Sequence, residues 1–316
     1  MPKIIPMYRK LVLTTCLLAF FAVVLSAYAR LSDAGLSCVN WPACYEENAL
    51  KEKQPPQAAT ARGHTSWQWK LHSQVVQLLG ILAIAVCGLS WKNRKELRQS
   101  PLLPTLLLGL MVFLALFGIL AFKHLPRPVI VSVHLLGGIA MLALLTWIAL
   151  GQLAAFGTVD ARDAQKWRVF SWVGIVLLLA QIMLGGWVSS NFAALACTDF
   201  PLCKGSLLPL MDFSYSFERS VTPLSVEKLT AIHWMHRVGA LLTIVYFCWL
   251  STRVMAVKGL QIIGKSILGL VAFQFMLGIY NVLTGLSLAG AVLHNAAAML
   301  LLVSIVSLSF RLQKHR

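Results

Sequence analysis

Charge is scarce in this chain. Only 12% of its 316 residues are Asp, Glu, Lys or Arg, where a soluble domain carries roughly 25% to cover its surface. Acidic residues are the scarcer kind, 11 against 27 basic. Period-two alternation of polar and apolar residues is missing, which excludes a membrane β-barrel. Glu-x-x-His is missing, and with it the di-iron pattern of helix bundles. A charged midplane site and broken-helix Gly/Pro pairs are also missing, which weakens a transporter built from parallel repeats.

What remains is apolar sequence. Hydrophobic residues make up 58% of the chain, and the mean hydropathy is +0.76. Runs of about 20 residues, enough to cross ~30 Å of hydrocarbon, recur eight times. They lie near Leu11–Ala29, Leu71–Trp91, Leu102–Phe122, Val129–Leu150, Val169–Val188, Ile232–Leu250, Leu260–Leu283 and Leu288–Phe310. The expectation is an all-α membrane protein with eight transmembrane helices. The first run has a rival reading as a signal peptide, because Lys3, Arg9 and Lys10 precede it and Ala27-Tyr28-Ala29 looks like a cleavage site. Its correspondence to the fifth run, deep in the chain, argues for a membrane helix.

The net charge of +16 raises the question of nucleic acid, and its distribution answers it. With the N-terminus placed inside, the inner segments hold 16 basic residues against Glu96, Asp160 and Asp163, a net +13. The outer segments hold the other 11 basic residues against 8 acidic ones, a net +3. That is the positive-inside rule of a multi-pass protein, with no nucleic-acid partner. Both termini are expected in the cytoplasm, and the long loops near Arg30–Lys70 and Ser189–Ala231 outside.

A repeat organises the sequence. Cys38–Cys44 reads C-V-N-W-P-A-C and Cys197–Cys203 reads C-T-D-F-P-L-C. Ala34/Ala193, Leu36/Leu195, Trp41/Phe200 and Pro42/Pro201 match at the same offset of 159 residues. Gly118 and Gly278 each precede a histidine, His134 and His294, by 16 residues, at an offset of 160. His72 pairs with His236 at 164. Each unit holds four spans, 1–155 and 156–316. An even number of spans returns the second copy in the same orientation, so the expected architecture is two tandem four-helix bundles related by a pseudo-two-fold axis along the membrane normal.

His72, His134, His236 and His294 all fall near the outer end of a span, two per half. Histidine in hydrocarbon needs a partner. A single one is commonly satisfied by a neighbouring carbonyl, but four in repeated pairs point to ligands. Zinc wants a tighter donor cluster. Two histidines on separate helices of a four-helix bundle suit an axial pair on haem iron. Arg237 is either a partner for haem propionates or a snorkelling interface charge. His233, one turn before His236, is a second-shell or propionate candidate.

Of seven cysteines, Cys16, Cys87 and Cys248 lie singly within spans, as small apolar packing residues. Cys38/Cys44 and Cys197/Cys203 lie in the outer loops. C-x5-C there is open to a zinc half-site, a thiol pair or a disulfide. The oxidising side of the membrane favours disulfides that staple the loops, and a redox role is the sharper alternative. Leu207–Val226 is apolar enough to hold an amphipathic segment on the bilayer surface.

These residues form a pattern. A-G-L-S-C-V-N-W-P-A-C at Ala34–Cys44, H-L-L-G-G at His134–Gly138, L-G-G-W-V-S-S-N at Leu184–Asn191, A-A-L-A-C-T-D-F-P-L-C at Ala193–Cys203 and A-I-H-W-M-H-R-V-G-A at Ala231–Ala240 resemble the haem A synthase family, over nearly the whole chain. The resemblance implies oxidation of a methyl of haem O to a formyl, giving haem A for haem-copper oxidases. It implies substrate haem O at His72 and His134 in the first half, and a resident haem b at His236 and His294 in the second. It also implies a bacterial cytoplasmic membrane, with haem O synthase and oxidase assembly factors as partners. One departure stands out: the family's Glu-x-x-His-Arg reads W-K-L-H-S at Trp69–Ser73. A carboxylate that would assist proton removal is replaced by Trp69, the arginine by Ser73, and Asp33 and Glu46 are the nearby acidic candidates. That departure keeps a second expectation in view, a non-catalytic haem-binding paralogue in electron transfer or oxidase assembly.

Overall fold

A computed structural model describes residues 4–33, 67–97, 99–121, 127–153, 159–214 and 224–313. Among the described residues there are eight α-helices, one short 3₁₀ turn at Ala193–Leu195 and no strand. The helices are α1 (Ile4–Asp33), α2 (Trp67–Lys92), α3 (Leu102–Ala121), α4 (Arg127–Gln152), α5 (Ala161–Ser190), α6 (Val226–Met255), α7 (Gln261–Leu283) and α8 (Leu288–Gln313). Seven of them are long and apolar enough to cross a membrane. The exception, α3, has 20 residues, enough for ~30 Å at 1.5 Å per residue, and none of them is charged.

Most helices outrun the apolar stretches that announce them, because caps rather than hydrophobicity decide where a helix begins. α5 starts eight residues before Val169, at the Asp160 N-cap, whose side chain accepts from the Arg162 N–H at 2.9 Å. α6 starts at the Ser225 N-cap, which accepts from the Lys228 N–H at 3.4 Å. His236 therefore lies ten residues into α6, about 15 Å from its start.

α1 packs on α2 and α4, and α3 packs on the same two helices. α5 packs on α6 and α8, and α7 packs on the same two. The two sets meet where α4 touches α5 and α8, and where α8 touches α1. α4 and α8 are thus the central helices, and their inner faces are closed: Leu142, Leu145 and Ile148 of α4, and Leu302 and Ile305 of α8, are fully buried. α1 is built into this core through Tyr8, Val12 and Ala19, all fully buried. Arg30 at the end of α1 donates to the Ser189 hydroxyl at the end of α5. Large apolar side chains cover the outside, among them Ile81, Leu106, Val176, Leu241 and Met276. That is the surface a bilayer solvates without penalty.

Leu207–Val226 is not helical as far as residue 214. Instead it runs irregularly over the start of α6: the Asp212 N–H bonds the Glu227 carbonyl at 3.3 Å and Trp234 Nε1 donates to the Leu207 carbonyl at 2.9 Å. Cys38, Cys44 and Glu46 lie outside the described residues, as does the side chain of Asp33.

Candidate functional site

The α5–α8 set brings His236 and His294 within electrostatic reach of one another. Each ring rests on a glycine of the preceding helix. A Cβ on Gly185 would stand 3.1 Å from His236 Cε1, and one on Gly278 would stand 3.6 Å from His294 Cε1. Any side chain at Gly185 would push the imidazole away. Gln181, one turn before Gly185, donates through Nε2 to His236 Nδ1 at 3.1 Å and to the His236 carbonyl at 3.0 Å. Its Oε1 is buried without a hydrogen-bond partner, and so are His294 Nδ1 and Gln274 Oε1.

Arg237 reaches the opposite way, to the disulfide loop. Its Nη1 donates to the carbonyls of Asp199 at 2.9 Å and Leu202 at 2.7 Å, its Nη2 to the carbonyl of Cys197 at 2.8 Å, and its Nε to His233 Nε2 at 3.3 Å. Four of five guanidinium N–H donors are thereby engaged. His233 is 5% exposed and acts as the acceptor that braces this clamp. Cys197 and Cys203 are disulfide-bonded, with Cα atoms 4.7 Å apart, inside the usual range. Asp199 closes the loop from within: its two carboxylate oxygens accept the backbone N–H groups of Lys204 at 2.7 Å and Gly205 at 2.8 Å. Both residues have positive φ, 53° and 74°, which turns their N–H groups toward one anion. The Gly205 N–H, with Lys204 and Arg237 adding to it, holds the Asp199 carboxyl below the usual aspartate range.

The α1–α4 set brings His72 and His134 within the same kind of reach, with different support. His134 is exposed, and its Nδ1 donates to the Ile130 carbonyl of its own helix at 3.3 Å. Its ring lies 5.7 Å from that of Phe117. The Trp69 ring stands edge-on to His72 at 6.0 Å. Ser73, at the Arg237 position, accepts from Gln77 Nε2 at 3.2 Å and stays on its own helix.

Among the described residues no three His, Cys, Asp or Glu side chains gather as a metal cluster. Two imidazoles without a third protein donor fit haem, whose porphyrin supplies the four equatorial nitrogens itself. The buried, unpartnered Nδ1 of His294 and the glycine seats beside both rings are further features that fit haem.

Sequence reasoning singled out the four histidines, Arg237 and the cysteines, of which Cys38 and Cys44 lie outside the described residues, and it did not single out Gln181 and Gln274. A signal for them existed: Gln181–Gly185 reads Q-I-M-L-G and Gln274–Gly278 reads Q-F-M-L-G. The four residues they share place a glutamine one turn before each glycine that seats a histidine.

Fold and site together define a multi-pass helical membrane protein that brings two histidines together in each helix set. The chain belongs to the cytochrome oxidase assembly protein family, COX15-CtaA, which matches residues 9–306. It is similar to the Heme A synthase of Shewanella oneidensis, 31% identical over 94% of both chains. The Heme A synthase of Caulobacter sp. (strain K31) is 24% identical over 94% of this chain and 93% of its own. That of Halalkalibacterium halodurans is 24% identical over 90% of each.

Proposed function

We propose that this protein is a haem A synthase, an oxidoreductase that converts a methyl of haem O to a formyl for haem-copper oxidase assembly. Membership of the assembly family and two histidine pairs, each spanning facing helices, support the reading. In it, His72 and His134 hold haem O, and His236 and His294 hold a resident haem b. The bound haem iron supplies the oxidation chemistry. The chain binds, orients and seals: helix faces line the porphyrin, and the Arg237-clamped loop closes the outer end of the second site. With four guanidinium donors engaged, Arg237 contributes to propionates through its remaining N–H at most. The product's formyl group withdraws electrons and raises the potential of the haem delivered to the oxidase. Haem O synthase and oxidase assembly factors are its expected partners.

The same reading makes residues 1–155 and 156–316 two halves related by a pseudo-two-fold axis along the membrane normal. Three observations support it. The helix pairings within α1–α4 repeat within α5–α8. The contacts between the sets are also symmetric, since α1–α8 corresponds to α5–α4 and α4–α8 corresponds to itself. Arg30 bonds Ser189, its own counterpart at an offset of 159, as a residue near such an axis would. Both termini then face the cytoplasm of a bacterial cell. A reporter fused after Arg316 should be active only there, and periplasmic activity would sink this topology.

The deciding experiment supplies haem O to the purified protein in membranes and identifies the extracted haems by mass. Haem A in the extract supports the synthase. Trp69, edge-on to His72 where the family has its carboxylate, favours one alternative. A protein that keeps haem but makes no haem A is a non-catalytic haem-binding paralogue.

A further inference from the structure

A histidine that ligates iron through Nε2 must carry its proton on Nδ1, and that N–H needs an acceptor in an apolar interior. In the first set, His134 meets this need with the Ile130 carbonyl of its own helix. In the second set a glutamine of the preceding helix approaches each ring, Gln181 of α5 at His236 and Gln274 of α7 at His294. Gln181 lies 3.1 Å from His236 Nδ1 while its Oε1 is buried and unpartnered. Gln274 presents its main-chain carbonyl to the His294 ring, and both its Oε1 and His294 Nδ1 are buried and unpartnered. An amide carries a donor at one end and an acceptor at the other, and a turn about its last torsion exchanges them. The unused ends here are acceptors.

We propose that Gln181 and Gln274 are positioning residues: each turns its Oε1 to accept the Nδ1–H of the imidazole beside it, His236 or His294, and so reserves that ring's Nε2 for haem iron. The inference rests on the reading that α5–α8 retains haem. The repeat adds a contrast. At offsets of 159 and 160, the counterparts of Gln181 and Gln274 are Ala22 and Leu114, which have no side-chain acceptor. A resident haem is held and tuned by two amides, and a haem that must leave is not. The glycines seat the rings and the glutamines one turn earlier fix the tautomer, so Q-x-M-L-G is a single device used twice.

The test uses the full chain purified in detergent, comparing wild type with Gln181→Leu, Gln181→Glu, Gln274→Leu and Gln274→Glu. Three readouts are taken: the rate of haem transfer to apomyoglobin, the midpoint potential of the retained haem, and its low-spin electron paramagnetic resonance. Removing such an outer partner typically weakens metal binding roughly ten- to hundredfold. The leucine variants should therefore lose haem faster by about that factor. The glutamate variants should keep haem with a lowered potential and shifted g-values, because a carboxylate acceptor makes the imidazole more basic. Leucine variants that hold haem at the wild-type rate and potential overturn the inference. Where a leucine variant does not fold, a glutamate variant with wild-type potential and g-values overturns it equally. Wild-type protein without a retained low-spin haem overturns the underlying reading too, an outcome separate from unchanged variants.

Discussion

The helix set α5–α8 and the set α1–α4 share a pairing pattern and a pair of histidines, and they differ in what surrounds those histidines. In the second set, His236 lies on Gly185 and bonds Gln181, and the next residue, Arg237, ties α6 to a disulfide-closed loop through three carbonyls. In the first set, Trp69 stands beside His72, Ser73 bonds only its own helix, and His134 is exposed. Among the described residues, then, the second histidine pair is braced from outside its own helices and the first is not. Bracing suits a group that stays, and openness suits a group that must enter and leave.

The largest test of that contrast is at the histidines. His236→Ala should abolish the haem absorbance that survives purification. His72→Ala should leave that absorbance and stop conversion of supplied haem O. Loss of the retained haem in both variants would mean that the sets are not specialised.

A smaller effect is expected at the clamp. Arg237→Ala leaves three loop carbonyls without their charged donor, and hydrogen bonds to charged groups contribute about 1.5–3 kcal/mol each before relaxation. The net loss should be about 2–4 kcal/mol, read as faster proteolysis of the 197–206 loop. Ser73→Ala, at the matching position, should stay within about 0.5 kcal/mol. Equal effects would remove the asymmetry between the sets.

Next comes the staple. Cys197→Ala should loosen its loop by about 2 kcal/mol, the closure entropy of so short a ring. In oxidised membranes Cys197 and Cys203 should resist thiol reagents until reduced. The same labelling at Cys38 and Cys44 shows whether the first loop is closed in the same way.

The smallest effect is that of pH on Asp199. Its carboxyl lies below the usual range because Gly205, Lys204 and Arg237 favour the anion. The sign follows from linkage: a depressed carboxyl pKa stabilises the loop above the ordinary aspartate value, about 4, and that contribution is lost as pH falls through the folded value. Amide exchange at Lys204 and Gly205 should accelerate only on acidification past that point, and in Asp199→Asn it should be fast at all pH values.

Much of this was legible in the sequence. Runs of ~20 apolar residues mark spans because the bilayer thickness fixes their length, and seven of the eight predicted spans fall on helices that meet that standard. The cysteine heptads and the histidine offsets carried the repeat, because the matched residues stay in order at offsets of 159 to 164, and differences in loop length account for the spread. The helix ends were less legible, since Asp160 and Ser225 start α5 and α6 in polar sequence that hydropathy ignores. Arg237 was visible as a charge beside a histidine, but its direction was not. A long side chain at one helix position can reach lipid headgroups, a ligand or a loop, and only the fold of Cys197–Ser206 supplies the three carbonyls that draw it in.

By itself the sequence determined the solvent of this protein, its helical class and the repeated pairing of its histidines. Those follow from composition, period and spacing, which are properties of the chain alone. Tertiary structure decided which groups meet across helices: a glycine of α5 under a histidine of α6, a glutamine beside its ring, and an arginine turned toward the disulfide loop rather than into the helix set. Such meetings depend on the rotation and depth of each helix against its neighbours. Helix packing fixes those to within a residue, and no one-dimensional pattern encodes them.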